Sequence, residues 1–147
     1  MIPSCPAHGS TSGTYNLLHY SLAKIGIEDS CVKDPDDLDS WQAVVQPNTK
    51  SFFSKTISNP QIDLLDTPGV AEIAHANGLP LTVDNTVATP YLTQGINTLV
   101  HSATKYPSGP GAVIVRMIVD DGTFGWTQGH FPEFITPNPN YQGGGVS

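Results

Sequence analysis

The sequence predicts an α/β fold with a mainly parallel sheet, and three features carry that prediction. Short continuous apolar runs at 79–84, 98–101 and 112–119 alternate with helical patterns of about ten residues, the rhythm of βαβ units. The runs lack the polar–apolar alternation of a sheet with one wet face, which favours strands covered on both sides. The helical patterns carry start and stop signals, Asp with Pro at 34–35 and 66–68, Gly at 26 and 78, and Pro at 47. With 147 residues and 38% hydrophobic content, the chain has the length of about one compact domain.

Taken in order, residues 1–13 (MIPSCPAHGSTSG) carry Pro, Ser and Gly without a period and predict an irregular lead-in that adds little to a core. From Thr14 to Ile25, Leu17, Leu18, Leu22 and Ile25 recur at helical spacing, and Gly26 supplies a left-handed stop. Asp29 to Val32 is a short strand candidate. Asp34-Pro35-Asp36 then starts a helix through Leu38, Trp41, Val44 and Val45 that ends at Pro47. Thr49 to Ile57 predicts a strand, and Ser58-Asn59-Pro60 a loop. Asp66-Thr67-Pro68 opens an amphipathic helix through Val70, Ile73 and Ala74, stopped at Asn77-Gly78. Leu79–Asp84, Thr98–His101 and Ala112–Val119 are the remaining strands, and the tail from Gly122 is a Gly/Pro/aromatic loop.

Charge and cysteine content narrow the function. Six Lys+Arg stand against thirteen Asp+Glu, a net charge of −7, and no basic run exists to pair with phosphates, so nucleic acid is not an expected partner. No window approaches a bilayer span, and the N-terminus lacks the basic and apolar regions of a signal peptide. Cys5 and Cys31 can form no disulfide framework and have no partner at metal-ligand spacing, so no metal site is expected. A reducing, cytoplasmic location follows as the default.

In open parallel sheets ligands collect outside the carboxyl ends of the strands. One strand ends Val83-Asp84-Asn85-Thr86 and a later one runs Val100-His101-Ser102-Ala103-Thr104-Lys105, so parallel neighbours would bring Asp84 and Lys105 to one edge. A carboxylate that keeps a ring nitrogen protonated, a lysine that forms an imine, and the Ser102 and Thr104 hydroxyls for a phosphate are what pyridoxal phosphate requires. Plainer readings stand beside this one. Asp84-Asn85 also suits a turn or helix cap, a lone lysine is commonly solvated, and His101 suits a hydrogen-bonded, half-buried histidine.

The stretches GTYNLLHYSLAKIGIE (13–28), DPDDLDSW (34–41), PNTKSFF (47–53), SNPQIDLLDTPGVAEIAHANGLPLTVDNTVATPYL (58–92), VHSATKY (100–106) and FPEF (131–134) resemble the Cys/Met-metabolism pyridoxal-phosphate enzymes. The combination of VDNT, ATPYL and SATKY is highly specific. The resemblance implies part of the large domain of the aspartate-aminotransferase-like, fold type I enzymes over residues 14–120, with a loop-rich tail at 121–147. It implies pyridoxal 5′-phosphate as cofactor and Lys105 as the lysine bonded to it and shuttling protons. Asp84 then matches the carboxylate on the pyridine nitrogen, and Ser102 and Thr104 the hydroxyl residues near the phosphate. Asn59 matches a residue near the cofactor oxygen and substrate carboxylate, and Thr86 lies near the ring. The implied reaction is γ-replacement, converting O-acetylhomoserine and sulfide to homocysteine and acetate. A small amino-acid substrate and a family-type homo-oligomer are the implied partners. Cystathionine synthesis or γ-lysis is the neighbouring alternative.

Departures from the family pattern point to a fragment. Whole enzymes of the family are longer, with an upstream phosphate-binding loop and a C-terminal domain whose arginine holds the substrate carboxylate. Ser10-Thr11-Ser12 stands where the family has a ring-stacking tyrosine, and Lys55 where a glutamate is frequent. The connection between Tyr91-Leu92 and Val100 is short, and Pro107 and Pro110 remove backbone donors after Lys105. These differences predict an impaired or inactive chain, with a non-catalytic module that associates with intact family subunits as the rival.

Overall fold

The computed structural model describes residues 2–4, 12–89, 93–109, 111–127, 130–137 and 139. Its centre is a six-stranded sheet built from β1 (Ile2–Ser4), β2 (Asp29–Cys31), β3 (Phe52–Lys55), β4 (Leu81–Asp84), β5 (Thr98–His101) and β6 (Met117–Asp120). Their order is β2-β1-β3-β4-β5-β6. Neighbours from β2 to β5 pair in parallel, and β6 pairs antiparallel with β5. The fold is thus α/β with a mainly parallel sheet.

One face of this sheet holds the core. Phe52, Leu81, Val83 and Leu99 project onto it and meet α2 (Leu38–Ala43) through Trp41 and α3 (Thr67–Ala76) through Val70, Ala71 and Ala74. Trp41 and Phe52 are wholly buried with ring centroids 5.4 Å apart, and the indole N–H donates to the Pro35 carbonyl at 3.1 Å, so a large apolar surface is buried without an orphaned donor. The alternate residues Phe53, Lys55, Thr82, Asp84, Thr98 and Val100 are only half-buried. Continuous apolar runs had predicted cover on both faces; the structure instead alternates, and the less covered face carries the polar strand-end residues.

The helix ends follow capping chemistry. Asp66 accepts the Gly69 N–H at 3.1 Å, with Pro68 in the first turn, and Asn77-Gly78 closes α3, Gly78 at φ 68°. α2 begins at Leu38, later than the Asp34 start expected, because Asp37 is the residue whose carboxylate accepts the Asp39 N–H; Asp34 instead closes a turn on the Asp36 N–H. Val44 caps the end of α2 before Pro47 is reached.

Four further expectations change. The lead-in contains β1, a strand seated between β2 and β3, although three residues with a proline among them leave no period to read. The first helix runs as α1 (Ser12–Asn16), a π-helical stretch Leu17–Leu22 and a 3-10 turn Ala23–Ile25, ending at Gly26 with φ 82°. Its wider π turns take Leu17 and Ile25 off the inward stripe, and only Leu18 is buried. In the run Ala112–Val119 only Met117–Val119 enters β6, which reaches Asp120. All four β6 residues are exposed, since an apolar run does not reveal whether its strand is central or at an edge. Within the predicted tail loop, Pro132–Ile135 forms a short helix, α4, beside a cluster of Phe124, Trp126, Phe131 and Phe134 rings. Residues 5–11 with Cys5, Ser10 and Thr11, together with Tyr91-Leu92 and Pro110, lie outside the described residues.

Two contacts tie the loops to the core. Gly95 has φ 75°, and a Cβ there would stand 2.6 Å from the Ala71 Cβ of α3. Asn97 links three elements: its side-chain oxygen takes the Leu81 N–H at 2.9 Å and lies 2.8 Å from His75 Nε2, while its carbonyl takes the Asp121 N–H at 3.0 Å. Burial alone would raise the Asp121 carboxyl. Hydrogen bonds from the Thr123 hydroxyl and N–H, Asn97 and the Phe124 N–H outweigh that effect and hold it below the usual value.

Gly95→Ala is expected to destabilise the fold by about 1–3 kcal/mol, through both the backbone strain and the overlap with Ala71, read as a lower urea midpoint at unchanged m-value. Asp121, with its native carboxyl lowered, contributes stability above its unfolded value near 3.8 that is lost as pH falls through the lower native value. Asp121→Asn is therefore expected to lower the melting temperature at pH 6–7, with the difference from the parent shrinking as pH falls below 3.8 and through the lower native value.

Candidate functional site

Parallel pairing aligns the carboxyl ends of three strands. Lys55 ends β3, Asp84 ends β4 and His101 ends β5, and the register places Lys55 beside Asp84 and Asp84 beside Val100. Side chains that share a register row point to the same face, so Lys55 and Asp84 emerge together on the half-buried side. Beyond them lies a cleft of about 280 Å3 whose walls include Lys55, Asn59, Asp84, Thr86, Ser102 and Lys105.

The strand ends that carry the cleft are held by a hydrogen-bonded brace. Asn85 is fully buried; its N–H donates to the Val100 carbonyl at 2.9 Å, its side-chain amide donates to the Thr89 carbonyl, and its oxygen takes the Thr56 hydroxyl at 2.6 Å. Thr86 joins the strand ends above it. Its hydroxyl donates to Asp84 Oδ1 at 2.5 Å and accepts the Ser102 N–H at 2.8 Å, while its own N–H donates to Asp84 Oδ1 at 3.1 Å. The other carboxylate oxygen, Oδ2, lies 3.5 Å from Lys55 Nζ, with the two side chains 23% and 11% exposed.

Five of the six residues singled out from the sequence, Asn59, Asp84, Thr86, Ser102 and Lys105, therefore line one cleft. Asn59 stands at its mouth, before a cis Asn59–Pro60 bond. Lys105 is exposed; its N–H donates to the Ser102 carbonyl at 3.0 Å, and its ammonium has no hydrogen-bond or ion-pair partner among the described residues. Thr104 is the exception. Its hydroxyl donates to the Val115 carbonyl at 3.1 Å and accepts the Val115 N–H at 2.9 Å, pinning the segment that enters β6. Strand alternation would put Ser102 and Thr104, two residues apart, on one face, but the chain turns after β5 and sends the two hydroxyls in different directions.

Two residues acquire a place that the sequence did not give them. Lys55 follows the apolar residues of β3 as Asp84 follows those of β4, and that shared strand-end position was the available signal. His101 is buried at 4% exposure, and its Nδ1 has no partner among the described residues, contrary to the hydrogen-bonded histidine the sequence suggested. No group of three or more His, Cys, Asp or Glu side chains suited to a metal ion occurs among the described residues, and no described helix is long and apolar enough to cross a membrane.

A family model for the Cys/Met metabolism PLP-dependent enzymes matches residues 9–138. The chain belongs to that family. It is 46% identical over 140 residues to the O-acetyl-L-homoserine sulfhydrylase of Corynebacterium glutamicum, with 89% of this chain and 32% of the relative covered. It is 41% identical over 140 residues to the homocysteine synthase of Schizosaccharomyces pombe, with the same coverage of each. The chain thus spans about a third of the length of these curated relatives. Among solved structures, it superposes on a Campylobacter jejuni protein assigned as an O-acetylhomoserine (thiol)-lyase, at TM-score 0.90 and 32% identity. That match covers 99% of this chain and 37% of the other, whose structure carries a pyridoxyl-lysine phosphate. A cystathionine gamma-lyase from Lactobacillus plantarum matches at TM-score 0.75 and 31% identity, over 81% of this chain and 32% of that one. The architecture is that of the fold type I family members, with the mostly parallel sheet and flanking helices described above.

The cleft fits the family's pyridoxal phosphate in its donor set. It offers an amine without a protein partner, a carboxylate, an amide and two hydroxyls, in a volume near the lower end of the roughly 300–1,000 Å3 typical of small-ligand sites.

Thr86→Val removes the brace and leaves the Ser102 N–H without its acceptor. A loss of about 1–3 kcal/mol in unfolding free energy is expected, with most of it recovered by Thr86→Ser, as read from urea titrations.

Proposed function

We propose that the protein belongs to the γ-replacement branch of its family, converting O-acetylhomoserine and sulfide to homocysteine and acetate, with the cleft at the ends of β3, β4 and β5 as its cofactor site. The observation that carries this reading is that Lys105 and Asp84 line the same cleft, together with the sulfhydrylase and homocysteine synthase names of the relatives. Bound pyridoxal phosphate supplies an electron sink for the substrate carbons.

The residues of this chain divide the work. Lys105 is the nucleophilic amine that holds the cofactor; released by the substrate amine, it takes and returns protons at the substrate carbons. An exposed side chain with no competing partner suits both roles. Asp84 orients the ring through its nitrogen, and Thr86 fixes the carboxylate with two hydrogen bonds to Oδ1. Asn59 receives the substrate carboxylate or a cofactor oxygen at the mouth of the cleft. Ser102 faces the phosphate, and Thr104 joins it once its hydroxyl leaves Val115. The curated relatives are longer than this chain, and we assign the complete reaction to the whole protein in a family-type homo-oligomer.

A second reading keeps the fold and removes the chemistry. The Lys55–Asp84 pair and the commitment of Thr104 to Val115 support a non-catalytic module that associates with intact family subunits. The likeness to cystathionine gamma-lyase supports a neighbouring reaction on the same cofactor.

Titration of the purified chain with pyridoxal phosphate, followed by borohydride reduction and peptide mass mapping, tests the site. Saturable label on Lys105, abolished in Lys105→Ala at unchanged circular dichroism, is the expected result; label scattered over surface lysines overturns it. Sulfide-dependent homocysteine formation by the intact gene product then separates γ-replacement from γ-lysis.

A further inference from the structure

We infer that Lys55 is a positioning residue that competes for Asp84 and weakens the hold of this cleft on a protonated pyridine ring, an inference that rests on the proposed cofactor site.

The geometry assigns each oxygen of the carboxylate. Oδ1 is occupied by the N–H and the hydroxyl of Thr86, which leaves Oδ2 as the acceptor open to a ligand. Lys55 Nζ stands 3.5 Å from Oδ2, on the adjacent strand and in the same register row, so the pairing is built into the β3–β4 ladder. Both side chains are largely buried, which limits screening of the pair by water. A ring N–H+ that approaches Oδ2 must displace the ammonium or share one negative charge with it, and sharing places two cations side by side.

Lys55 also has somewhere to go. It borders a second crevice of about 310 Å3, whose walls carry three carboxylates, Asp34, Asp36 and Asp63, against one further cation, Lys33. Because Lys55 lines both spaces, its charge has the Asp84 carboxylate on one side and the more acidic crevice on the other. Two lysines against one aspartate leave the cleft positive, which favours a phosphate while it disfavours a ring cation. The two effects are separable, because only the second depends on the ring nitrogen.

The test uses the whole chain as parent, Lys55→Gln and Lys55→Arg. Each is titrated with pyridoxal phosphate and with its 1-deaza analogue, in which the ring nitrogen is replaced by C–H. Borohydride-fixed label at Lys105 is the readout, and circular dichroism checks the fold. In the parent the two compounds are expected to bind within about threefold of each other. In Lys55→Gln the preference for pyridoxal phosphate over the analogue rises about tenfold, the scale of one charge-assisted hydrogen bond regained, and in Lys55→Arg it stays at the parental value. Lys55→Met, which keeps the aliphatic stem, takes the place of Lys55→Gln if that variant does not fold. An unchanged preference with saturable Lys105 label in all chains overturns this inference alone. Absence of saturable Lys105 label from the folded parent and the folded neutral variants overturns it together with the cofactor site.

Discussion

The register of β3, β4 and β5 is the constraint on which the site depends. Parallel strands bring their carboxyl ends to the same side, and the pairing of Phe52 with Leu81 at one end necessarily pairs Lys55 with Asp84 at the other. A slip by one residue would exchange the faces, sending the carboxylate into the apolar layer and Val83 into the cleft. The buried Phe52, Leu81, Val83 and Leu99 therefore fix the position of Asp84 more firmly than any interaction within the cleft. The hydrophobic core and the polar edge are two consequences of one alignment. Asn85, bonded to Val100 and Thr56, secures it where the strands end.

Much of this alignment is legible in the sequence, for reasons that differ from residue to residue. Asp66-Thr67-Pro68 and Asn77-Gly78 bound α3 because capping is local chemistry, and the strand-end positions of Asp84 and His101 follow from apolar runs that stop abruptly. β1 escapes because its pairing is entirely non-local. Lys55 escapes as a member of the site because a lone lysine after a strand acquires meaning only when a neighbouring carboxylate is aligned with it. Thr104 shows what a motif leaves open: it stands beside Ser102 and Lys105 in SATK, and the turn pairs its hydroxyl with Val115. Motif and family likeness identify which residues matter, whereas their direction is settled by turns and by partners distant in sequence.

The cleft satisfies itself more completely than its chemistry requires. Thr86, Lys55 and the Ser102 N–H between them occupy most of the acceptors that a ligand would use. Buried polar groups left unpaired are costly, and this mutual pairing keeps the strand ends ordered. Ligand binding then becomes an exchange of partners in place of a simple gain. Groups on the ligand must equal what Lys55 already gives to Asp84, while the amine of Lys105 has nothing to surrender.

At the other side of the sheet, β6 presents Met117, Ile118 and Val119 to solvent, with Ile114 also open just before it. An apolar outer strand with a free ladder is a template for a second copy of itself. The net charge of −7 opposes that encounter through long-range repulsion, whose reach falls from about 30 Å at 0.01 M salt to about 8 Å at physiological ionic strength. The colloidal behaviour of the chain is thus a contest between a sticky ribbon and a diffuse charge cloud. Ionic strength therefore shifts which of them governs the distance between molecules.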